Sequence, residues 1–226
     1  MERKIITTAD GSSTIYLPDL DETYHSRHGA IREALHVFIK EGLQYRLKKD
    51  SELGHISILE IGFGTGLNAF LTCLEAAHLK CNINYTGVEA YPVTADDLIH
   101  INYSKEISSG TQDSIFNALH EVSWETKHEI IDRFSLTKQQ KMFDYIDDEA
   151  VHDIIYFDAF GPRVQPELWG ESVFEIMIKA LKPGGVLVTY SAQGNARRAM
   201  QAVGFLVERI PGPPGKREML RANKPI

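Results

Sequence analysis

Three stretches of the sequence predict a Rossmann-like α/β sheet, with a C-terminal antiparallel strand and a small N-terminal β-hairpin and helix extension. The first is Ile58-Leu59-Glu60-Ile61, an apolar run that breaks into alternate glycines, Gly62, Gly64 and Gly66. A short continuous apolar run reads as a buried parallel strand. Leu67–His78 then follows helical periodicity, and strand, glycine turn and helix together open a nucleotide-binding βαβ unit. The second stretch is Ile83–Glu89, a strand ending in an acid about twenty residues beyond the glycines. The third pairs the apolar runs Asp153–Asp158 and Val186–Ser191 across a helical pattern at Leu168–Leu181.

The remaining elements follow in chain order. Ile5–Leu17 alternates around Asp10-Gly11, a hairpin signal. Asp21–Ala30 is polar and aromatic with little periodicity, and is expected to lie as a lid beside the glycine site. Tyr24 and Ser26 are its candidates for ligand contact. His25 and His28 read as loop or helix-start residues, with a catalytic role as the alternative. A helix is expected over Ala30–Leu47, with Ile31, Ala34, Leu35, Phe38, Ile39 and Leu43 on one face. Strand one is Ile56–Ile61. Helical patterns cover Thr94–Ile101 and Ile115–Val122, Ile130–Leu136 reads as strand three, and Lys138–Glu149 reads as an exposed charged helix. Lys182-Pro183-Gly184-Gly185 carries helix-stop chemistry. After a short helix at Asn195–Val203, the strands Phe205–Ile210 and Lys216–Ala222 form a hairpin across the stiff loop Pro211–Gly215. No repeat or linker divides the chain. Residues 1–50 are expected as an extension packed on a core of residues 51–226.

Composition narrows the function classes. A chain of 226 residues with 43% hydrophobic content is globular and long enough to bury a sizeable core. No stretch is long and apolar enough to span a bilayer, and the first residues are not a signal-peptide core, so the expectation is a cytoplasmic protein without a membrane partner. Cys73 and Cys81 lack metal spacing and read as packing thiols, so no metal site is expected. The formal net charge of −7 argues against a broad nucleic-acid-binding face. The C-terminal segment nevertheless gathers Arg197, Arg198, Arg209, Lys216, Arg217, Arg221 and Lys224 against Glu208 and Glu218. One reading is a solvated basic end. The other is a local phosphate-contacting patch, because Lys216 and Arg217 directly follow the Pro/Gly loop.

The candidate site is read from chemistry and spacing. Glu60 precedes G-x-G-x-G, and an acid at that strand end would oppose a pyrophosphate. It suits a zwitterionic ligand carrying an amino acid group, such as S-adenosylmethionine (SAM). The plain alternative is a glycine turn that only closes the sheet. Gly62, Gly64 and Gly66 would let a ligand lie against bare backbone. Glu89 can accept both ribose hydroxyls of an adenosine. Asp158 falls beyond a strand's carboxyl end, where doubly wound sheets bind ligands. Phe160, Pro162 and Trp169 would make a stiff apolar wall beside it.

Four motifs carry a family resemblance that spans nearly the whole chain. They are E-T-Y-H-S-x-x-G-A at Glu22–Ala30, E-x-G-F-G-T-G-L-N at Glu60–Asn68, D-A-F-G-P with P-x-x-W at Asp158–Trp169, and G-x-K-R-E-M-L at Gly215–Leu220. Together they resemble the MnmC methyltransferase family, and with it the class I SAM-dependent methyltransferase fold. The resemblance implies methylation of the aminomethyl nitrogen of 5-aminomethyl-2-thiouridine at the tRNA wobble position, giving 5-methylaminomethyl-2-thiouridine. It implies SAM as methyl donor and tRNA as partner. It also implies contacts to SAM from Phe63, Leu67 and Asn68, besides Glu60 at the methionine end and Glu89 at the ribose. Asp158 would orient the acceptor amine or take its proton, and Lys216 and Arg217 would engage tRNA phosphate. In some bacteria the domain is fused to a flavin-dependent oxidoreductase. This chain resembles the stand-alone form, so no flavin is expected and a separate enzyme would make the aminomethyl group. The sequence departs from the pattern in one place. The acidic turn that holds the adenine amine after strand three finds no match in Phe134-Ser135-Leu136-Thr137-Lys138. Two alternatives stand beside this reading: another class I methyltransferase acting on a small molecule or protein, and a non-catalytic nucleoside-binding module.

Overall fold

The chain opens with a three-stranded antiparallel sheet, β1 (Lys4–Thr7), β2 (Ser13–Leu17) and β3 (Glu22–Thr23). The structure, a computed structural model, describes residues 2–108, 110 and 112–226. Asp10-Gly11 makes the turn between β1 and β2, and the Asp10 carboxylate accepts from the Thr8 hydroxyl and the Ser12 backbone N–H. A continuous helical segment follows, made of α1 (Ala30–Ala34), a π-wound middle (Leu35–Gln44) and α2 (Tyr45–Lys49). Val37, Phe38, Ile39 and Leu43 bury its inner face in the main core. Leu35, expected on that face, is 40% exposed. The wider π turn changes the period, so a 3.6-residue pattern misplaces it.

The main sheet is built from β4 (His55–Ile61), α3 (Leu67–Ala76), β5 (Asn82–Val88), α4 (Ala95–Leu98), α5 (Tyr103–Ser108) and α6 (Asp113–Glu121). It continues through β6 (Lys127–Ile131), β7 (Phe134–Gln139), β8 (His152–Phe157), α7 (Glu171–Ala180) and β9 (Leu181–Thr189). It closes with α8 (Gly194–Ala202), β10 (Leu206–Pro211) and β11 (Glu218–Asn223). The strand order is β10-β11-β9-β8-β4-β5-β7-β6. The five strands from β9 to β7 are parallel. β11 runs antiparallel beside β9, and β10 folds back outside it, giving the expected C-terminal antiparallel feature.

Helices cover both faces of the sheet, and β4 shows how its residues divide. Ile56 and Ile58 belong to one core cluster, with Phe38, Phe70 and Tyr156. Leu59 and Ile61 belong to the other, with Phe157, Trp169 and Phe174. This is the period of two expected of a strand buried on both sides.

Three elements differ from the sequence reading. The predicted strand three is a hairpin, β6 and β7, turning at Asp132-Arg133 with Arg133 at φ +67°. Lys138–Glu149 is not a helix: its start completes β7, and only Phe143–Tyr145 makes a 3₁₀ turn. Lys138 is 2% exposed, and its ammonium donates to the His120 carbonyl at the end of α6. A long stem can be buried when its charged head finds a helix C-terminus. The helix at Leu168–Leu181 is also divided, into a 3₁₀ turn at Pro166–Trp169 and α7.

Gly87 sits in β5 in register with Glu60 and Lys138, and a Cβ there would overlap the Phe63 ring. Gly87→Ala is therefore expected to destabilise the fold by about 1–3 kcal/mol through overpacking. Gly54→Ala, with nothing within 4 Å of its added Cβ, serves as the comparison in thermal denaturation.

Candidate active site

The chain turns back on itself at β4, whose neighbours are β5 on one side and β8 on the other. Such a switch point opens a crevice at the strands' carboxyl ends. Three backbone bonds close its base. Gly62 and Phe63 both donate to the Val88 carbonyl, and Asp158 N–H donates to the Ile61 carbonyl. Gly62 has φ +88°, and a Cβ on it would stand 2.8 Å from the Asp158 carbonyl oxygen. Both facts require glycine there.

Above this base lies a cavity of 460 Å³, a size that suits a nucleoside ligand. Gly62, Phe63, Gly64, Leu67 and Asn68 form one wall, and Glu89 another. Asp158 and Phe160 face them, and Tyr24, just after β3 of the N-terminal sheet, joins the lining. The Tyr24 and Phe160 rings meet edge to face at 5.1 Å. The Glu89 carboxylate accepts N–H groups from Gly64 and Tyr91, both at 2.9 Å, so it also fixes the glycine loop.

Other residues named from the sequence stand outside the lining. Glu60 is 1% exposed and reaches the cavity only through Asn68. Gly66 caps α3 beneath the loop, against His120. Ser26 is turned to its own segment: its hydroxyl accepts from His28 N–H, and its N–H donates to the Glu33 carboxylate. Trp169 supports the wall from behind, donating its indole N–H to the Phe160 carbonyl at 2.8 Å. Pro162 is not part of the lining. Lys216 is not a free surface cation. It pairs with Glu33 at 2.6 Å and lies 3.9 Å from the Tyr190 ring centroid. Arg217 beside it is exposed.

The electrostatic centre is the Asn68 amide. Its Nδ2 donates to Glu60 at 2.9 Å and to Asp158 at 2.8 Å. Burial raises the Asp158 carboxyl to about 7, and the Glu33 charge adds to the rise, while the Asn68 hydrogen bond and Lys216 oppose it. Burial also raises Glu60, reinforced by Asp158. Two buried carboxyls sharing one amide cannot both ionise without strain. His25 lines the cavity, and burial lowers it to about 4, so it is a neutral imidazole at pH 7.

The sequence reading missed two acids of the lining, Asp144 and Glu167. Asp144, with Met142 and Phe143, lines the end of the cavity beyond β7. It fell within the stretch assigned to a charged helix. An aromatic-acid pair shortly after a correctly placed β7 was the signal available.

The residues fit SAM. Bare glycine backbone faces the cavity, and Glu89 stands at the end of β5. The buried Asn68 Oδ1 has no protein partner and is open to an ammonium donor. Among the described residues, no group of three His, Cys, Asp or Glu can hold a metal ion, and no helix is long and apolar enough to cross a membrane.

Comparison with known proteins agrees with the motif resemblance. Residues 118–225 match a family described as S-adenosyl-L-methionine-dependent methyltransferase. The tRNA 5-methylaminomethyl-2-thiouridine biosynthesis bifunctional protein MnmC of Aromatoleum aromaticum is 30% identical over 217 residues, covering 89% of this chain and 32% of that protein. Its counterpart in Cupriavidus metallidurans is 30% identical over 237 residues, covering 96% and 33%. The chain thus spans about a third of the length of these curated relatives. The crystal structure of MnmC2 from Aquifex aeolicus aligns with a TM-score of 0.75 at 24% identity, covering all of this chain and 72% of that one. A spermidine synthase from Thermotoga maritima shares the fold, with a TM-score of 0.53 at 14% identity, covering 94% and 68%. The resemblance to the MnmC methyltransferase family and the class I methyltransferase fold are both borne out.

Glu89→Ala is expected to weaken SAM binding by about 1.5–3 kcal/mol, roughly ten- to a hundredfold in Kd. Calorimetric titration of the variant with SAM checks it.

Proposed function

With its C-terminal half matched to a SAM-dependent methyltransferase family, this chain, we propose, methylates the aminomethyl nitrogen of 5-aminomethyl-2-thiouridine at the tRNA wobble position. The observation that carries the reading is Asp158. It stands at the end of the ligand cavity beside Phe160, held by Asn68 and facing the glycine loop.

SAM supplies an electrophilic methyl group on a sulfonium. The glycine loop and Asn68 would hold the methionine end, Glu89 the ribose, and Asp144 with Phe143 the adenine. Sulfonium is already a strong leaving group, so alignment and a neutral amine are what the protein must add. An alkylammonium has a pKa of about 10.4 in water. Phe160, backed by Trp169, desolvates it and favours the neutral form. The ammonium gives one proton to Asp158. The neutral nitrogen then forms its bond to the methyl carbon as the carbon–sulfur bond breaks. S-adenosylhomocysteine and a secondary ammonium would then leave, and Asp158 would return its proton to solvent. A carboxyl at about 7 is a better proton acceptor than an ordinary aspartate and is still ionised in useful fraction at neutral pH.

The tRNA contact falls to exposed arginines. Arg27 and Arg32 are exposed near the start of α1, where His28 packs against Gly215 of the Pro/Gly loop, and Arg217 is exposed just beyond that loop. These residues form a basic rim that suits phosphate. The reading places the reaction in the cytoplasm, after a separate enzyme that makes the aminomethyl group, and asks no flavin of this chain.

A methyl-transfer assay with SAM and tRNA carrying the unmethylated aminomethyl nucleoside tests the assignment. Absence of transfer while SAM still binds would remove the substrate. Asp158→Asn is expected to lower turnover at least a hundredfold, on the order of a lost general base, with SAM affinity kept. In the wild type, turnover should fall as pH drops through about 7, because protonated Asp158 can no longer accept. Arg27→Glu with Arg217→Glu should weaken tRNA binding and flatten its salt dependence, by a slope of about one for each phosphate no longer neutralised.

A further inference from the structure

Three segments far apart in sequence meet behind Asp158. Glu33 comes from α1, Tyr190 from the end of β9, and Lys216 from the loop before β11. The Glu33 side chain is 8% exposed and receives two donors, the Lys216 ammonium at 2.6 Å and the Ser26 N–H at 2.9 Å. The Lys216 ammonium also lies over the Tyr190 ring, 3.9 Å from its centroid. The Tyr190 hydroxyl donates to the carbonyl of Ala159, the residue after Asp158, at 2.9 Å. A lysine that serves only to catch phosphate gains nothing from a buried partner. Holding the Glu33 charge out of water is costly unless the pair has a task, while Lys216 stays partly exposed.

We propose that Glu33 and Lys216 form a charge-setting pair for Asp158, positioning residues that act on the reaction through that carboxylate. The proposal rests on the methyltransferase reading for its role in catalysis, but not for its electrostatics. One charge of each sign stands near one carboxyl. Lys216 favours the ionised form of Asp158, and Glu33 opposes it. The other titratable groups near Asp158 include Glu60 on β4, Tyr85 on β5, Tyr103 on α5 and Tyr190 after β9, and Tyr24, Glu89, Asp144 and Glu167 line the same cavity, all unchanged in the variants below. His25 lines the same cavity and is neutral. Burial raises the three tyrosines on β5, on α5 and after β9, so they remain uncharged. Glu60 shares the Asn68 amide and is unchanged in the variants below.

The two halves of the pair make opposite predictions, which a structural salt bridge does not. Carboxyl ¹³C NMR of aspartate-labelled protein follows Asp158 directly, its signal identified by its loss in Asp158→Asn. Lys216→Met should move its titration midpoint up by about one pH unit, and Glu33→Gln should move it down by a similar amount. The double variant Glu33→Gln/Lys216→Met, which leaves no buried charge unpaired, should fall between the two. Lys216→Arg should stay near the wild type. The acid limb of the tRNA methylation rate should follow the same directions. Midpoints that do not move, or that move the same way in both single variants, would overturn the pair's role even where methylation is intact. Midpoints that move in opposite directions while tRNA goes unmethylated would support the pair and overturn the substrate reading instead.

Discussion

The site depends on how closely two strand ends approach each other. Asp158 N–H bonds to the Ile61 carbonyl, and Gly62 lies under the Asp158 carbonyl with no room for a Cβ. That contact brings the tips of β4 and β8 together. It lets one amide, Asn68 at the start of α3, bind a carboxyl from each strand. The glycine loop and the candidate proton acceptor are therefore set by one piece of geometry. The ligand-facing backbone cannot shift without moving Asp158.

The N-terminal extension completes the cavity rather than decorating the fold. Its Tyr24 closes on Phe160, and its far edge is held by Arg163, which donates to the Asp21 carbonyl at 2.8 Å and lies 3.3 Å from Glu22. On the other side, Asn102 accepts from Ser13 N–H and donates to the Gly11 carbonyl. Arg3 pairs with Asp97 at 2.8 Å. The exposed Arg163 pair contributes little by itself, so the backbone bonds, the half-buried Arg3–Asp97 pair and the aromatic contact hold the cover in place. A cover fixed at both ends and packed at its centre would limit water at the acceptor in the proposed chemistry.

The opposite ends of the strands carry a separate polar network that steadies the frame. Asp153 accepts from Ser57 N–H and pairs with Lys182 at 2.7 Å, and Arg46 on the helical segment stands 3.8 Å away. His152 bridges Ser57 and Asp148. The Asp153 and His152 side chains are tolerated here because each finds hydrogen-bonding partners on neighbouring segments. Polar residues thus occur at both ends of β4 and β8, and Asp158, just past the carboxyl end of β8, lines the cavity.

Local chemistry settled much of this in the sequence. Strand, glycine turn and helix at Ile58–His78 needed no tertiary information, because a run of apolar residues stopped by alternate glycines has few other foldings. Glu89 and Asp158 were legible for the same reason: an acid closing an apolar run marks a strand's carboxyl end. The fold class followed from repeating that pattern. Tertiary structure decided what faces what. Glu60 is buried beneath Asn68, since strand parity points it to the same face as Ile56 and Ile58, where α3 packs, so it meets the cavity through the Asn68 amide. Lys138–Glu149 looked solvated because charge was taken for exposure, but a helix C-terminus received the lysine and the chain left Asp144 at the cavity. Lys216 looked like a free cation, yet Glu33, 183 residues earlier, holds it. Pattern along the chain fixes the elements, because it reflects local backbone preference and burial. Charge partners come from distant segments, and only the fold brings them within reach.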